Sequence, residues 1–303
     1  MDTDLDTLVT ALYVQVDDLL KVNPDRTPWR PAVGIAPLIS DAELVTLAVA
    51  QALLGFTSQA RWLRFGRAHL LTAFPHLPLQ PGYNKRLRKL VGTLSWLIRQ
   101  LGSLTDLRED DVWIADSTPI ECGRSRETTK RSDLAGFAEY GYCASHSRYF
   151  WGLRLHLLCT LHGLPIAAAV TGAKADERQV LIALLQDYAH HHNLTGNTLI
   201  ADKNYYGRDF ETTLAAAGIN LLRPTRKGEK TRPGQHLFKP LRQTVESVFD
   251  TFKGQLDLER HGGKTPTGVL TRIWQRVLAL TAAIWHNHTI GAPIKRSLIA
   301  YDH

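Results

Sequence analysis

Cysteine and methionine are scarce, at three and one among 303 residues. Cys122, Cys143 and Cys159 are odd in number and form no C-x-x-C pair. That argues against a disulfide frame or a structural zinc and for reduced thiols in a cytosol. Long apolar runs are absent as well: the longest, from Leu44 to Phe56, is broken by Thr46 and Gln51, short of the ~20 residues a membrane-spanning helix needs. No membrane partner is expected. The opening Met1-Asp-Thr-Asp-Leu-Asp is acidic where an export signal is basic, so the expected location is the cytoplasm. There is no G-x-x-x-x-G-K-[ST] loop, no G-x-G-x-x-G after a strand, and no Ser-His-Asp or Cys-His arrangement, which excludes the common nucleotide sites and a protein nucleophile. Acids are also in deficit, 29 against 36 Lys and Arg, for a net charge of +7. Such a balance favours a polyanionic partner, because cations that neutralise phosphates release condensed counterions, although a mildly basic enzyme has the same charge.

What is present reads as two regions. Residues 1 to about 105 show helical periodicity only, beginning with Leu5, Leu8, Val9, Leu12, Val16, Leu19 and Leu20. Ser40-Asp-Ala-Glu43 has the form of a capping box opening a helix towards Leu54. Gly82-Tyr-Asn-Lys-Arg-Leu-Arg-Lys-Leu90 gathers Lys85, Arg86, Arg88 and Lys89 at the expected start of another helix. Such a segment is either a phosphate-contacting DNA reader or an ordinary solvated face.

From about Asp110 the period changes. Val112-Trp-Ile-Ala-Asp116 reads as a buried strand ending in an acid, and Leu199-Ile-Ala-Asp202 repeats that arrangement. Tyr149–Leu161 and Leu164–Thr171 form an expected hairpin about His162-Gly163. Asp176 caps a helix carrying Val180, Leu181, Leu184, Leu185 and Tyr188. The His190-His-His192 run at its end points in different directions on a helix, so it reads as a helix-end patch and not a metal site. The order becomes β-β-β-α-β-α-β: a mixed sheet with helices on its faces, with a long polar segment from Ser117 to Arg148 left without assigned structure. A basic loop from Arg223 to Lys239 carries Arg226, Lys227, Lys230 and Arg232 against Glu229 alone, a composition suited to a nucleic-acid backbone.

Ligands in open α/β sheets sit beyond the carboxyl ends of the strands, so Asp116 and Asp202 suggest one shared site. In the helical stripe from Leu241 to Leu256, Arg242, Glu246 and Lys253 would project within roughly 40° of one another. Alone, Arg242 and Glu246 are an i,i+4 pair worth a few tenths of a kcal/mol. Beside two strand-end aspartates they complete an oxygen-rich set suited to Mg²⁺ or Mn²⁺, two ions about 4 Å apart in the arrangement used for phosphodiester displacement.

These motifs resemble the DDE transposases of bacterial insertion sequences, with a ribonuclease-H-like fold, and specifically the insertion-sequence family numbered nine-eight-two. The resemblance rests on Leu38-Ile-Ser-Asp-Ala-Glu43 and Gly82-Tyr-Asn-Lys-Arg-Leu87 in the first region, and on Ile114-Ala-Asp-Ser117, Gly141-Tyr-Cys-Ala-Ser145, Gly152-Leu-Arg-Leu-His156 and Ala201-Asp-Lys203 in the second. It covers nearly the whole chain. It implies a helical DNA-binding domain over 1–105 and a ribonuclease-H-like catalytic domain over 106–303. It further implies Asp116, Asp202 and Glu246 as the triad that holds two Mg²⁺ or Mn²⁺ ions, with Asp250 as the alternative third acid. Lys85, Arg86, Arg88, Lys89, Lys203, Arg226, Lys227, Lys230, Arg242 and Lys253 are the implied DNA contacts. In the Tyr-Arg-Glu-Lys helix signature of such enzymes, Lys239 stands at the Tyr position with Phe238 beside it, and Asn204 follows Asp202 where a smaller residue is usual. The implied partners are double-stranded DNA, as element ends and target, and a second copy of the chain. A nuclease of the same fold without strand joining, and a non-catalytic DNA-binding regulator, are the alternative readings.

Overall fold

The computed structural model of the chain describes residues 3–31, 33–143, 147–232, 234, 238–295, 297–298 and 301, with the side chains at 3, 238–242 and 245 outside the description. The chain packs as two compact units, Met1–Thr105 with Thr251–His303, and Asp106–Asp250.

The first unit is helical. It contains α1 (Thr3–Val22), α2 (Asp41–Leu53), α3 (Gln59–His69), α4 (Gln80–Lys89), α5 (Val91–Ser103) and α10 (Pro266–Thr289). The capping box forms as the spacing predicts: Glu43 N–H donates to Ser40 Oγ at 3.0 Å, and Ser40 N–H donates to Glu43 Oε2 at 2.6 Å. Every residue of α10 from Thr271 to His286 is buried. A helix buried on all sides needs partners on all sides, and α1, α2, α4 and α5 supply them. The closing stretch, expected in the catalytic half, is therefore packed with the N-terminal helices.

The second unit is a six-stranded mixed sheet with helices: β1 (Val112–Gly123), α6 (Arg126–Arg131), β2 (Glu139–Cys143), β3 (Arg148–Thr160), β4 (Pro165–Gly172), α7 (Glu177–Ala189), β5 (Thr198–Ile200), α8 (Arg208–Ala216), β6 (Asn220–Leu222) and α9 (Phe238–Asp250). The strand order is β2-β3-β1-β5-β6, and β4 shares an edge of β3 with β2. β3 runs antiparallel to β1 on one edge and to β4 on the other, while β5 runs parallel to β1 and β6 parallel to β5. This is the ribonuclease-H-like arrangement. The hairpin of β3 and β4 forms where expected.

Side chains alternate across the sheet. Trp113, Ala115, Leu158 and Leu199 join Leu181, Leu185, Phe210 and Leu214 in the core on the α7 and α8 side. On the other side, Ile114, Asp116, Leu157 and Cys159 meet Val248 and Phe249 of α9. The void left there is only about 10 Å³, room for at most a water molecule.

Two elements, α6 and β2, lie in the polar segment left unassigned from the sequence. In β2, Tyr140 and Tyr142 face outward while Gly141 and Cys143 are buried, so the inward alternation contains a glycine and gives almost no hydrophobic signal. The Gly141-Tyr-Cys-Ala-Ser145 motif is described only through Cys143.

Glycine in β3 has a steric reason. A Cβ on Gly152 would stand 2.0 Å from the Ile120 carbonyl oxygen, where β1 changes register against β3 between Glu121 and Gly123. Gly152→Ala is expected to destabilise the sheet unit by about 1–3 kcal/mol through forced overpacking. Gly92→Ala on α5, which would meet nothing within 4 Å, is expected to be neutral or slightly stabilising. Urea midpoints of the two variants test the contrast; equal midpoints would refute it.

Candidate active site

The two aspartates are positioned by parallel strands of unequal length. β1 and β5 pair as Val112 with Thr198, Trp113 with Leu199 and Ile114 with Ile200. Two residues past the last pair come Asp116 and Asp202, both on the face of Ile114 and Ile200 by strand alternation. Asp116 does not end its strand as the apolar run predicts. β1 continues antiparallel to β3, with Asp116 opposite Leu157, and Asp116 reaches an open edge only because its neighbour β5 stops at Ile200.

Asp202 opens a tight turn. Its Oδ1 accepts the Asn204 N–H at 2.7 Å, its Oδ2 accepts Asn204 Nδ2 at 2.9 Å, and its carbonyl accepts the Tyr205 N–H at 3.2 Å. Asn204, at a position usually smaller, thus fixes the carboxylate from both sides. Asp116 Oδ1 accepts the Ser117 N–H at 2.7 Å.

A further carboxylate whose charge reaches Asp202 was not anticipated. Glu177 is the first residue of α7, and its Oε1 lies 2.6 Å from Arg154 Nη1. The same guanidinium donates to Ser117 Oγ at 3.0 Å and to the Tyr142 carbonyl at 3.1 Å. Arg154 is 8% exposed. Burial pushes the Glu177 carboxyl up, Arg154 and a hydrogen bond with Ser117 oppose that, and Asp202 adds to it. Tyr205 is buried, and its hydroxyl is raised well above the usual phenol range, first by burial and then by Glu177, Asp116 and Asp202. These acids therefore share one field around Tyr205. The available signal was Arg154 itself, a cation inside an apolar strand, which demands a partner. Beside it His156 is held neutral, its pKa lowered by burial to about 4, with Nε2 2.9 Å from Thr171 Oγ1.

Glu246 lies on α9 and is exposed, as is Asp250. α9 covers the Asp116 face of β1 through Val248 and Phe249. Among the described residues, no three or more His, Cys, Asp or Glu side chains gather closely enough to hold a metal ion. Asp116 and Asp202 each lie two residues beyond the last β1–β5 pair, and Glu246 is on α9. The donor chemistry still suits a hard cation, since Mg²⁺ is commonly held by one or two carboxylates with water and phosphate oxygens completing the shell.

The expected line of Arg242, Glu246 and Lys253 does not form on one regular helix. α9 ends at Asp250, and the backbone turns to wider π geometry over Thr251–Gln255. There the Leu256 N–H donates to the Thr251 carbonyl five residues back, at 2.9 Å, so rotation of 100° per residue no longer applies. Lys253 belongs to the helical unit. The side chains of Arg242, Phe238 and Lys239 lie outside the described residues.

The basic residues divide into outward and structural ones. Lys85, Arg86, Arg88 and Lys89 occupy the second half of α4, not its start, because the helix begins at Gln80. Arg86 is committed to the fold, donating to the Ile39 carbonyl at 2.7 Å and to Asp41 at 2.8 Å. Lys85 and Lys89 are exposed, and Arg88 is half-buried. In the basic loop, Arg223 is buried between Glu211 and Glu229, and Arg232 pairs with Glu211, against the expectation of a loop without buried roles. Arg226, Lys227 and Lys230 face outward, as does Lys203 beside Asp202. Arg226 stacks 3.4 Å from the ring centroid of Tyr206. The histidine run acts as a helix end: His192 stacks on Tyr188 at 4.0 Å.

The family model described as "Transposase DDE domain" matches residues 107–282, more than half of the chain. Solved structures that the chain matches include a piggyBac transposase synaptic complex with hairpin DNA, at 8% identity and a TM-score of 0.46, covering 97% of this chain and 75% of that one. Another is a pre-cleavage Mos1 transpososome, at 12% identity and a TM-score of 0.24, covering 96% and 98%. No curated protein matches the chain.

The Arg154–Glu177 pair carries a pH signature. An acid whose folded pKa is raised binds its proton more tightly in the folded state, so stability falls as pH rises through that pKa. Arg154→Met removes a group that lowers the Glu177 pKa and strands a mostly buried carboxylate. The expected loss is about 2 kcal/mol at pH 8, discounted from a fully buried pair because Glu177 keeps some exposure, and it shrinks at pH 5. Adding Glu177→Gln should recover part of the loss at pH 8. Denaturant unfolding of both variants at the two pH values checks this; a loss independent of pH would overturn it.

Proposed function

The chain belongs to the transposase DDE domain family, and from that premise we propose that it is a transposase that binds the terminal inverted repeats of its own insertion sequence, cuts DNA there and joins the freed 3′ ends to target DNA. The observation that supports the reading is the parallel register of β1 and β5, in which Asp116 and Asp202 each follow the last pair, Ile114 with Ile200, by two residues. Bound Mg²⁺ or Mn²⁺, two ions per site, would activate the attacking oxygen and stabilise the leaving one. Asp116 and Asp202 would hold them, with Glu246 of α9 as the third carboxylate and Asp250, one turn on, as its alternative.

Around the acids, Lys203, Arg226, Lys227 and Lys230 would take DNA phosphates, since they face solvent in the same unit. Lys85, Arg88, Lys89 and Lys253 would do so from the helical unit, and Arg242 from α9. Arg86 is the weakest member of that set because its guanidinium already serves Asp41 and Ile39. The helical unit would read the ends, and a homodimer would hold two ends in one complex, acting on the nucleoid in the cytoplasm.

The test is incubation of the purified chain with duplexes carrying the ends that flank its gene, with Mn²⁺ or Mg²⁺. Cleaved and joined products are expected. Asp116→Asn, Asp202→Asn and Glu246→Gln should each lower cleavage by about 10³-fold or more, a transition-state loss of about 4 kcal/mol, with end binding retained within a few-fold. Undiminished cleavage would remove that residue from the site. Released ends that are never joined would make the chain a nuclease of the same fold.

A further inference from the structure

The helical unit contains a polar cavity of about 380 Å³. Its wall is built where three helices begin: Thr57, Ser58 and Gln59 at α3, Gln80 at α4, and Lys264, Thr265 and Gly268 at α10. Three cations line it, Arg88, Lys264 and Arg272, and no lining residue is acidic. Ser58 and Thr265 cap their helices, whereas α4 has no side-chain cap at Leu79. The partial positive charge of its first turn is left for another partner.

The cations are the second, independent sign of a ligand. Arg272 is 9% exposed, yet among the described residues it has no carboxylate partner. Its Nη1 donates to the neutral amide oxygens of Gln275 at 3.1 Å and Gln51 at 3.5 Å. Among the described residues, no hydrogen-bond acceptor meets the buried Arg88 Nε. A mostly buried cation at a cavity wall without a counter-charge is costly, and an anion in that cavity would lower the cost for Arg88 and Arg272, which both line it. The loop is shaped to let one approach. Gly262 has φ +65°, and a Cβ on Gly263 would stand 2.7 Å from Val269 N, so Gly262-Gly263-Lys264-Thr265 lies close against the first turn of α10. Glycines ahead of a helix N-terminus, with a lysine between them and the helix, form an anion cradle.

We propose that this cavity is a phosphate-binding site, with Arg88, Lys264 and Arg272 as its charged ligands and the N-termini of α3, α4 and α10 as its walls. It deepens the transposase reading, on which the assignment of a DNA backbone phosphate as the occupant rests; free phosphate or a phosphate monoester has the same chemistry.

The full chain is compared with Lys264→Ala, which removes an exposed charge and leaves the buried network intact, and with the Arg88→Gln, Lys264→Ala double variant. In the first arm, inorganic phosphate is titrated against thermal unfolding at constant ionic strength set with chloride. A rise in Tm of about 2–4 °C for the parent chain, reduced in Lys264→Ala and abolished in the double variant, establishes the site. In the second arm, anisotropy of a labelled end duplex is followed across salt. An affinity about fivefold weaker in Lys264→Ala, with the salt slope smaller by about one, assigns the occupant to the DNA backbone. A phosphate effect with unchanged duplex binding assigns it to free phosphate. If phosphate gives no rise and the variants bind duplex like the parent, the site is refuted while DNA binding stands. If the parent binds no duplex, the DNA reading fails, and the phosphate arm still decides the site.

Discussion

The candidate chemistry depends on one piece of backbone pairing, the parallel ladder between β1 and β5. Because Ile114 meets Ile200, residues two further along face the same way, and both are aspartates. A slip of one residue would send one of them to the opposite face, since side-chain direction alternates with every step. The register is held by the core around Trp113, Ala115, Leu199 and Ala201, where a slip would bury polar groups and expose apolar ones. The apolar packing on the α7 and α8 side thereby fixes the acids on the other.

Around that ladder the unit concentrates negative charge and then restrains it. Tyr205 feels Asp116, Asp202 and Glu177 together, and Arg154 is the buried cation that touches Glu177 and Ser117. Asn204 ties both Asp202 oxygens to the turn. α9 approaches on the Asp116 face with Val248 and Phe249.

Much of the fold was legible along the chain. The capping box at Ser40 and Glu43, the hairpin between Leu161 and Leu164, and the cap at Asp176 formed as their local chemistry dictates, because each depends on residues a few positions apart. The failures are equally physical. β2 escaped notice because Gly141 occupies an inward position, and the reach of β1 to Gly123 because its later residues are polar. The line from Glu246 to Lys253 failed because helical projection assumes one pitch, and the backbone widens at Thr251. Glu177 was read only as part of a helix start, since nothing local announces that Arg154, 23 positions earlier in the numbering, will meet it.

The sequence by itself determined the two acidic strand motifs, the basic balance and the helical character of the first hundred residues, since these follow from local periodicity and composition. Tertiary structure alone decided which cations remain outward: Arg86, Arg223 and Arg232 are held by Asp41, Glu211 and Glu229, while Lys203, Arg226, Lys227 and Lys230 are exposed. It also placed α10 among the N-terminal helices. The physical reason is range. Caps, turns and periodicity act within a few residues, whereas the partner of a buried charge or of a helix buried on every side is chosen by whatever the folded chain brings alongside it.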